Sequence, residues 1–345
     1  MLAFGRYETL ELFFGLVFVA VIGEILKAIV YTEYGSPDVL RFVDVPKPGP
    51  NDHQVLVRVR AAALNALDWR MMRGRPFVMR LMIGGLLKPK TRRPGVDLAG
   101  EVEAVGRYVK QFKPGDAVFG ACEGACAEYV CIAENKLAPK PANVSFEEAA
   151  ALPVAALTAL QGLRDHGRMQ SGHKVAIDGA SGGVGTYGIQ VAKWFGAEVT
   201  AVCSPRQIDT ARSLGADHII DYTREDFTQS SERYDVILAA NAYHSIFHYR
   251  RVLAPNGIYV MAGGGWPQMI QMMALASLLS RLGRKKCRFF ISRVDQADLV
   301  LLGELLATGK IVSVIDRRYP LSETREAMQY LEEGHAKGKI IITVA

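Results

Sequence analysis

Five cysteines in 345 residues are few and odd in number, which excludes a secreted disulfide framework and points to a reducing compartment. Net charge is also small, formally +6. The two short basic stretches, residues 88–93 (KPKTRR) and 281–293 (RLGRKKCRFFISR), have no RNA-reading motif or zinc-finger spacing nearby. No nucleic-acid partner is therefore expected, and solvated surface or an anionic cofactor accounts for the positive charge. Internal repeats and low-complexity tracts are missing, and the 33 glycines fall in short turn clusters, which excludes a solenoid, a linker or a collagen-like chain. What is present is a chain that is 50% hydrophobic and long enough for two domains, or one large one, each with its own core.

Long apolar runs are scarce too. The exception is residues 12–22 (LFFGLVFVAVI), flanked by Arg6, Glu8, Glu11 and Glu24. It is shorter than the ~20 residues a membrane helix needs, and it lacks the basic start and A-x-A site of a signal peptide. Three readings stay open: a membrane anchor, a helix packed on the protein, or a stretch translated from a misassigned start. Residues 27–31 (KAIVY) read as the first strand of the folded unit, which leaves residues 1–26 as an apolar N-terminal extension. A chain beginning at Lys27 is expected to be soluble and to keep its activity. The expected location is cytoplasmic, with weak membrane association or anchoring if the extension is native.

From Lys27 to about Asn143 the pattern is short strands broken by turns. Residues 55–61 (VLVRVRA) alternate, so one face is buried and Arg58 and Arg60 face solvent. Ser145 with Glu148 three residues on is a capping-box start for an Ala-rich helix. After Gly172, strands at 174–177, 198–203, 218–220, 235–239 and 258–261 alternate with helices. Their uninterrupted apolar character predicts a parallel sheet covered on both faces. A helix over 294–310, a strand over 312–316, a helix over 321–331 and a strand over 339–344 complete the chain.

Residues 175–185 read VAIDGASGGVG and run into the helical TYGIQVAKWFG. Strand, glycine turn and helix are the context that a dinucleotide fingerprint requires. Ala180, Gly182 and Gly185 take the places of G-x-G-x-x-G, with alanine at the first. Gly182 lets the backbone approach a pyrophosphate and Gly185 lets helix pack on strand. Ser181, Gly183 and Val184 open the helix whose free N–H groups bind phosphate. No acidic residue ends the next strand to grip the ribose 2′-hydroxyl of NAD. Ser204 and Arg206 stand there instead, a hydroxyl and a guanidinium suited to a 2′-phosphate, and NADPH is expected ahead of NADH. Tyr222, after the third strand, lies on the adenine side or simply packs. His244 and His248 have metal-ligand spacing but no H-E-x-x-H glutamate and read as ordinary helix residues. The Met-rich run 269–282 reads as a flexible lid, core or subunit contact.

Beyond these, residues 65–69 (NALDW), 93–100 (RPGVDLAG), 118–129 (VFGACEGACAEY), 152–163 (LPVAALTALQGL), the glycine turn and the ending 319–344 resemble the medium-chain dehydrogenase/reductase superfamily. More narrowly, the chain is similar to its zinc-free quinone-oxidoreductase branch. The resemblance runs from Lys27 to Ala345. It implies an α/β protein with a GroES-like, partly open β-barrel catalytic domain (residues 27–150, completed by about 290–345). A Rossmann doubly wound parallel-sheet domain (residues 151–289) would bind NADP in the cleft between them.

Zinc enzymes of the superfamily place a Cys where Asn65 stands and Gly-His-Glu where this chain has Gly95-Val96-Asp97. Residues 149–159 supply no Cys or His for a third ligand, and Cys122, Cys126 and Cys131 are too few for a four-cysteine lobe. No metal site is expected, and without a Lewis acid neither is alcohol oxidation. The expectation is a zinc-independent, NADPH-dependent reductase that transfers a hydride to quinones or α,β-unsaturated carbonyls. Alternatives are a 2-enoyl thioester reductase and a low-turnover NADPH-binding protein acting through partners or membrane. By resemblance, Asn65 lies at the nicotinamide end of the cleft, and Asp68 orients its loop or bonds Asn65. Ordinary turn bonds are the other reading of both. Thr158 matches a nicotinamide-contacting residue, against a hydroxyl bonded to its own helix. Lys339 approaches cofactor or cleft, or stays on the surface. A homodimer is the default.

Overall fold

The computed structural model describes residues 24–345 apart from 76, 78, 79, 81–84, 91 and 335. The apolar run 12–22 lies outside the described residues, and its three readings with it. The first strand, β1 (Ile25–Val30), starts two residues earlier than the sequence suggests. Ile25 and Leu26 pair with Pro46 and Val45 of β2 (Arg41–Pro46), and Leu26 is 2% exposed within the core. Glu24 is also engaged, its carboxylate accepting from Lys47 Nζ at 2.6 Å.

A seven-stranded sheet forms the first half of the molecule. Its centre is β3 (Gln54–Leu64), paired antiparallel with β4 (Asp97–Val105) along its length. On its other edge β3 takes two partners in turn: β6 (Tyr129–Ala133) along residues 54–58, and β15 (Lys339–Thr343) along residues 61–64. Register shifts at Leu56/Val57 and Val59/Ala61 bend β3 between them, as bulges do at barrel corners. β5 (Ala117–Ala121) and β7 (Leu137–Pro139) extend the β4 side, and β14 (Ile315–Pro320) pairs parallel with β15. The last strands of the chain thus complete the sheet begun by the first. Between β3 and β4 stands a helix that the strand-and-turn reading of this region missed, α1 (Ala66–Arg73).

The second half is an all-parallel sheet of β8 (Lys174–Asp178), β9 (Glu198–Cys203), β10 (His218–Asp221), β11 (Tyr234–Ala239), β12 (Leu253–Met261) and β13 (Lys286–Phe289). Its spatial order is β10-β9-β8-β11-β12-β13. This is the doubly wound dinucleotide-binding order, and its switch point lies between β8 and β11, outside the carboxyl ends of the strands. β13 went unread because its residues, KCRF, sit inside a basic stretch.

Two short helices join the halves. α2 (Phe146–Ala151) opens on the capping box predicted for it: Ser145 Oγ accepts from Glu148 N at 3.2 Å, and Glu148 Oε2 accepts from Ser145 N at 2.9 Å. α3 (Pro153–Gln161) follows at once. Its alanines and leucines share one core with β8, β9, β11 and the helix after the glycine turn, α4 (Gly183–Trp194).

Candidate active site

Three neighbouring strands of the first sheet bring the site together. β3 runs antiparallel to both β4 and β15, with Ala63 opposite Asp97 and Leu64 opposite Ile340. The carboxyl end of β3 therefore meets the starts of the other two, and Asn65, Asp97 and Lys339 converge from distant parts of the chain. Asp97 is fully buried and Lys339 3% exposed. Lys339 Nζ donates to Asp97 Oδ2 at 2.8 Å and to Asn65 Oδ1 at 2.7 Å. Asn65 Nδ2 donates to the same Asp97 oxygen at 2.9 Å, and Val154 N, in the first turn of α3, donates to Asp97 Oδ1 at 2.9 Å. This arrangement fixes the Asn65 amide in one sense, because only its oxygen can face an ammonium and only its nitrogen a carboxylate. Among the described residues, one of its two amide protons is used by Asp97, so a donor remains.

Asn65 and Asp68 are not loop residues: Asn65 is the N-cap of α1, and Asp68 is the capping residue three positions on. Asp68 Oδ2 accepts from Asn65 N at 2.7 Å, and its Oδ1 accepts from Gly95 N at 3.0 Å. Burial pushes the Asp68 carboxyl up to about 7, and the charge of Asp97 adds to the shift, while the two N–H donors and Lys339 oppose it. Gly95 itself has φ +88°, and a Cβ there would lie 2.7 Å from Cys126 Sγ, so the loop before Asp97 needs glycine at this point.

The glycine turn follows β8 at the switch point. A Cβ on Gly185 would stand 2.2 Å from Gly179 O and 2.6 Å from Ala180 Cα, which makes this glycine the condition for the helix to leave the strand so closely. Gly182 differs, since its Cβ position meets nothing nearer than 3.9 Å. Ser181, Gly183 and Val184 are half-buried at the start of α4, which has no side-chain cap on its amino terminus. That leaves room and N–H groups for a pyrophosphate. A Cβ on Gly183 would meet Lys339 Cδ at 2.8 Å. The stem of Lys339 therefore lies on the glycine turn while its ammonium lies on Asn65 and Asp97.

At the end of β9, Ser204 begins a short 3-10 turn and Arg206 is exposed. Tyr222 N donates to Cys203 O at 3.3 Å, and the Tyr222 ring is 60% exposed, so it stands beside this strand end and not in the core. Gln207, next to Arg206, is 4% exposed, and its Nε2 has no hydrogen-bond partner among the described residues.

Thr158 is placed differently from the other candidates, because its hydroxyl donates to Val154 O in its own helix at 2.6 Å and meets Ser292 Oγ at 2.8 Å. Two residues of the site were not singled out from sequence. Asp97, the hub of the network, entered only as one of three residues standing where zinc enzymes have Gly-His-Glu, and it shares its strand with two further acids, Glu101 and Glu103. Asp178 ends β8 under the turn. It accepts the hydroxyl hydrogen bond of Tyr249, whose oxygen takes the N–H groups of Tyr243 and His244 at 3.0 and 3.4 Å. Burial raises the Asp178 carboxyl to about 6. His244 lies in the loop before α6 (Ile246–Arg251) and pairs with Asp226 at 3.5 Å. Among the described residues no three His, Cys, Asp or Glu side chains come together as a metal-ligand set.

Two family models match the chain: an alcohol dehydrogenase GroES-like domain over residues 51–142, and a zinc-binding dehydrogenase domain over residues 214–342. A chloroplastic quinone-oxidoreductase of Triphysaria versicolor is 34% identical over 338 residues, covering 93% of this chain and 99% of the relative. A chloroplastic NADPH-dependent alkenal/one oxidoreductase of Arabidopsis thaliana is 33% identical over 332 residues, covering 92% and 79%. The solved structure of a quinone oxidoreductase from Coxiella burnetii superposes with a TM-score of 0.80 at 30% identity, over 93% of this chain and all of that one.

Proposed function

Because the chain belongs to the medium-chain dehydrogenase/reductase superfamily, in its quinone-oxidoreductase branch, we propose that it is a zinc-independent, NADPH-dependent reductase of quinones or α,β-unsaturated carbonyls. The observation that carries this reading is Lys339, whose stem rests on the glycine turn while its ammonium orients the Asn65 amide. Bound in the cleft, the nicotinamide supplies the hydride. The remaining Asn65 amide proton is the donor for the acceptor's oxygen as charge develops there. Lys339 and Asp97 hold that amide in place, and Asp68 holds the helix start that carries it. The similarity to quinone and alkenal/one oxidoreductases supports the acceptor class.

Zinc does not fit these residues. Asn65 offers an amide already bonded on both atoms, and the Asp97 carboxylate carries an ammonium at 2.8 Å, where a cation would have to sit. The fit to a nicotinamide dinucleotide is better. Gly182 leaves open space, α4 starts without a side-chain cap, and Gln207 keeps a buried donor whose lack of a partner costs about 1–3 kcal/mol, which a ligand acceptor offsets. Ser204 and Arg206 beside it favour the 2′-phosphate form, and Tyr222 offers its ring to the adenine side.

The test is steady-state NADPH oxidation with a panel of quinones, enones and enoyl-CoA thioesters. Turnover of a quinone or enone is expected. Preference for a thioester would make the protein an enoyl reductase, and silence across the panel despite tight NADPH binding would make it a low-turnover binding protein. Arg206→Ala should weaken NADPH about tenfold or more, in the range of a charge-assisted pair, and leave NADH unchanged. NADH binding the unaltered protein as tightly as NADPH would overturn the cofactor assignment.

A further inference from the structure

Residues 236–294 contain eight lysines and arginines and no aspartate or glutamate, more positive charge than the net +6 of the whole chain. In the middle of this stretch lies α7 (Trp266–Arg281), which buries a single side chain, Met272. Ile270, Met273 and Leu278 on α7 and Leu282 just after it are 61, 65, 53 and 73% exposed. Their spacing puts them on one side of the helix, with Ala274 and Ser277 exposed between them. A surface helix ordinarily turns its polar side to water, whereas this one turns out its apolar side. α6 extends the patch: Ile246 N donates to Gln271 Oε1 at 3.2 Å, and Phe247 is exposed beside it.

Basic residues follow directly. Lys285 and Lys286 donate to carbonyls, of Arg250 at 2.8 Å and of Ser280 and Gly283 at 2.6 and 3.1 Å. Arg281 and Arg284 are exposed and continue the rim of the apolar face. A second copy of the chain is a poor occupant for it. In a two-fold dimer the same patch meets itself, which would bring two basic clusters together without an acidic residue in either stretch. An anionic lipid surface supplies both the apolar phase and the opposite charge. Sixteen residues of helix span about 24 Å, short of the ~30 Å hydrocarbon core, so the fitting geometry is a helix lying in the interface. Among the described residues no helix is long and apolar enough to cross a membrane.

We propose that α7, with Arg281 and Arg284 at its end, docks the protein on anionic lipid surfaces. The helix begins next to the candidate active site. Its N-cap, Gly265, follows Gly264, whose carbonyl accepts from Arg70 Nη2 at 3.1 Å, and Arg70 lies on α1, the helix capped by Asn65. Docking therefore brings the cleft to the lipid surface. That the acceptor is then drawn from the lipid phase rests on the reductase reading, whereas the docking does not.

The experiment is flotation of the full chain with phosphatidylcholine vesicles containing phosphatidylglycerol, against phosphatidylcholine alone. Two double variants, Ile270→Glu with Leu278→Glu and Arg281→Glu with Arg284→Glu, go through the same test, with thermal melting as a check on folding. The unaltered chain should float with the anionic vesicles only, and each variant should bind about tenfold more weakly or worse. Variants that float as well as the unaltered chain would overturn the proposal by placing binding elsewhere, the apolar run 12–22 included. So would the absence of flotation, or a dimer that the Glu variants split in sedimentation without any vesicle binding. Flotation intact in a protein that turns over nothing in the acceptor panel would sink the reductase reading alone.

Discussion

Lys339 and Asp97 form a buried ion pair in which each partner has further hydrogen bonds to satisfy it. Removing one member of such a pair leaves an uncompensated charge and costs about 3–5 kcal/mol. Lys339→Met should accordingly lose that much stability in urea unfolding, and adding Asp97→Asn should recover a large part of it. A double variant no more stable than Lys339→Met would show that the charge pair is not what the cluster is built around. For catalysis, Asn65→Ala should lower kcat by about 100–1,000-fold with little change in NADPH affinity, and an untouched rate would remove Asn65 from the mechanism. Asp68 adds a pH signature. Its carboxyl, at about 7, lies above the ordinary ~3.9, so between these values the folded protein holds a proton that the unfolded chain has released. The stability from this group is full below about pH 4 and is lost as pH rises through about 7. Asp68→Asn should remove that component from a series of Tm values across the window, and an identical slope in the variant would refute it. In the sequence, Asp68 could be joined to Asn65 through the resemblance, but Lys339 could be named and not joined to either. Their contact depends on the register of three strands, and Asp97 shares its strand with Glu101 and Glu103, so nothing local marks it as the buried acid.

The glycine turn shows how much can be read from a single element. Strand, turn and helix are local in sequence, so spacing alone located them. Gly185→Ala would drive a methyl into backbone atoms of Gly179 and Ala180, which cannot yield as a flexible side chain would. NADPH affinity should fall tenfold or more in a fluorescence titration, and unchanged affinity would mean that the turn tolerates a wider separation of helix and strand. Elements without a local signature were harder to read. β13 is four residues of mostly basic composition, held as a strand by pairing with β12. α1 was masked because Asn-x-x-Asp was read as loop chemistry when it is the opening of a helix. α7 was visible as a Met-rich apolar run, but whether such a run faces core or solvent depends on what the rest of the fold leaves uncovered.

At the scale of the molecule, the alternation of strands and helices after Gly172 announced the second half of the fold. The joining of the last strands to the first sheet followed from the family resemblance, because no local pattern encodes a partner so far away. The folded unit takes in residues ahead of Lys27 as well, since Leu26 belongs to the core. A chain beginning at Lys27 should be about 2–5 kcal/mol less stable than one beginning at Glu24, the cost of deleting a buried leucine side chain. Equal melting of the two would mean that β1 contributes nothing through its first turn of contacts. The position of β15 has a further consequence, for the order in which the molecule is made. Lys339 meets Asn65 across 274 residues of chain, so on the ribosome β3 emerges early and its Ala61–Leu64 end waits with one edge unpaired until nearly the whole polypeptide has been synthesised. The parallel sheet between them can fold as a unit during that interval, and closing the long loop costs only the slowly growing entropy of chain length. Until then that end of β3 presents an open strand edge, and a product cut short before Lys339 would carry the glycine turn without the lysine that joins it to Asn65.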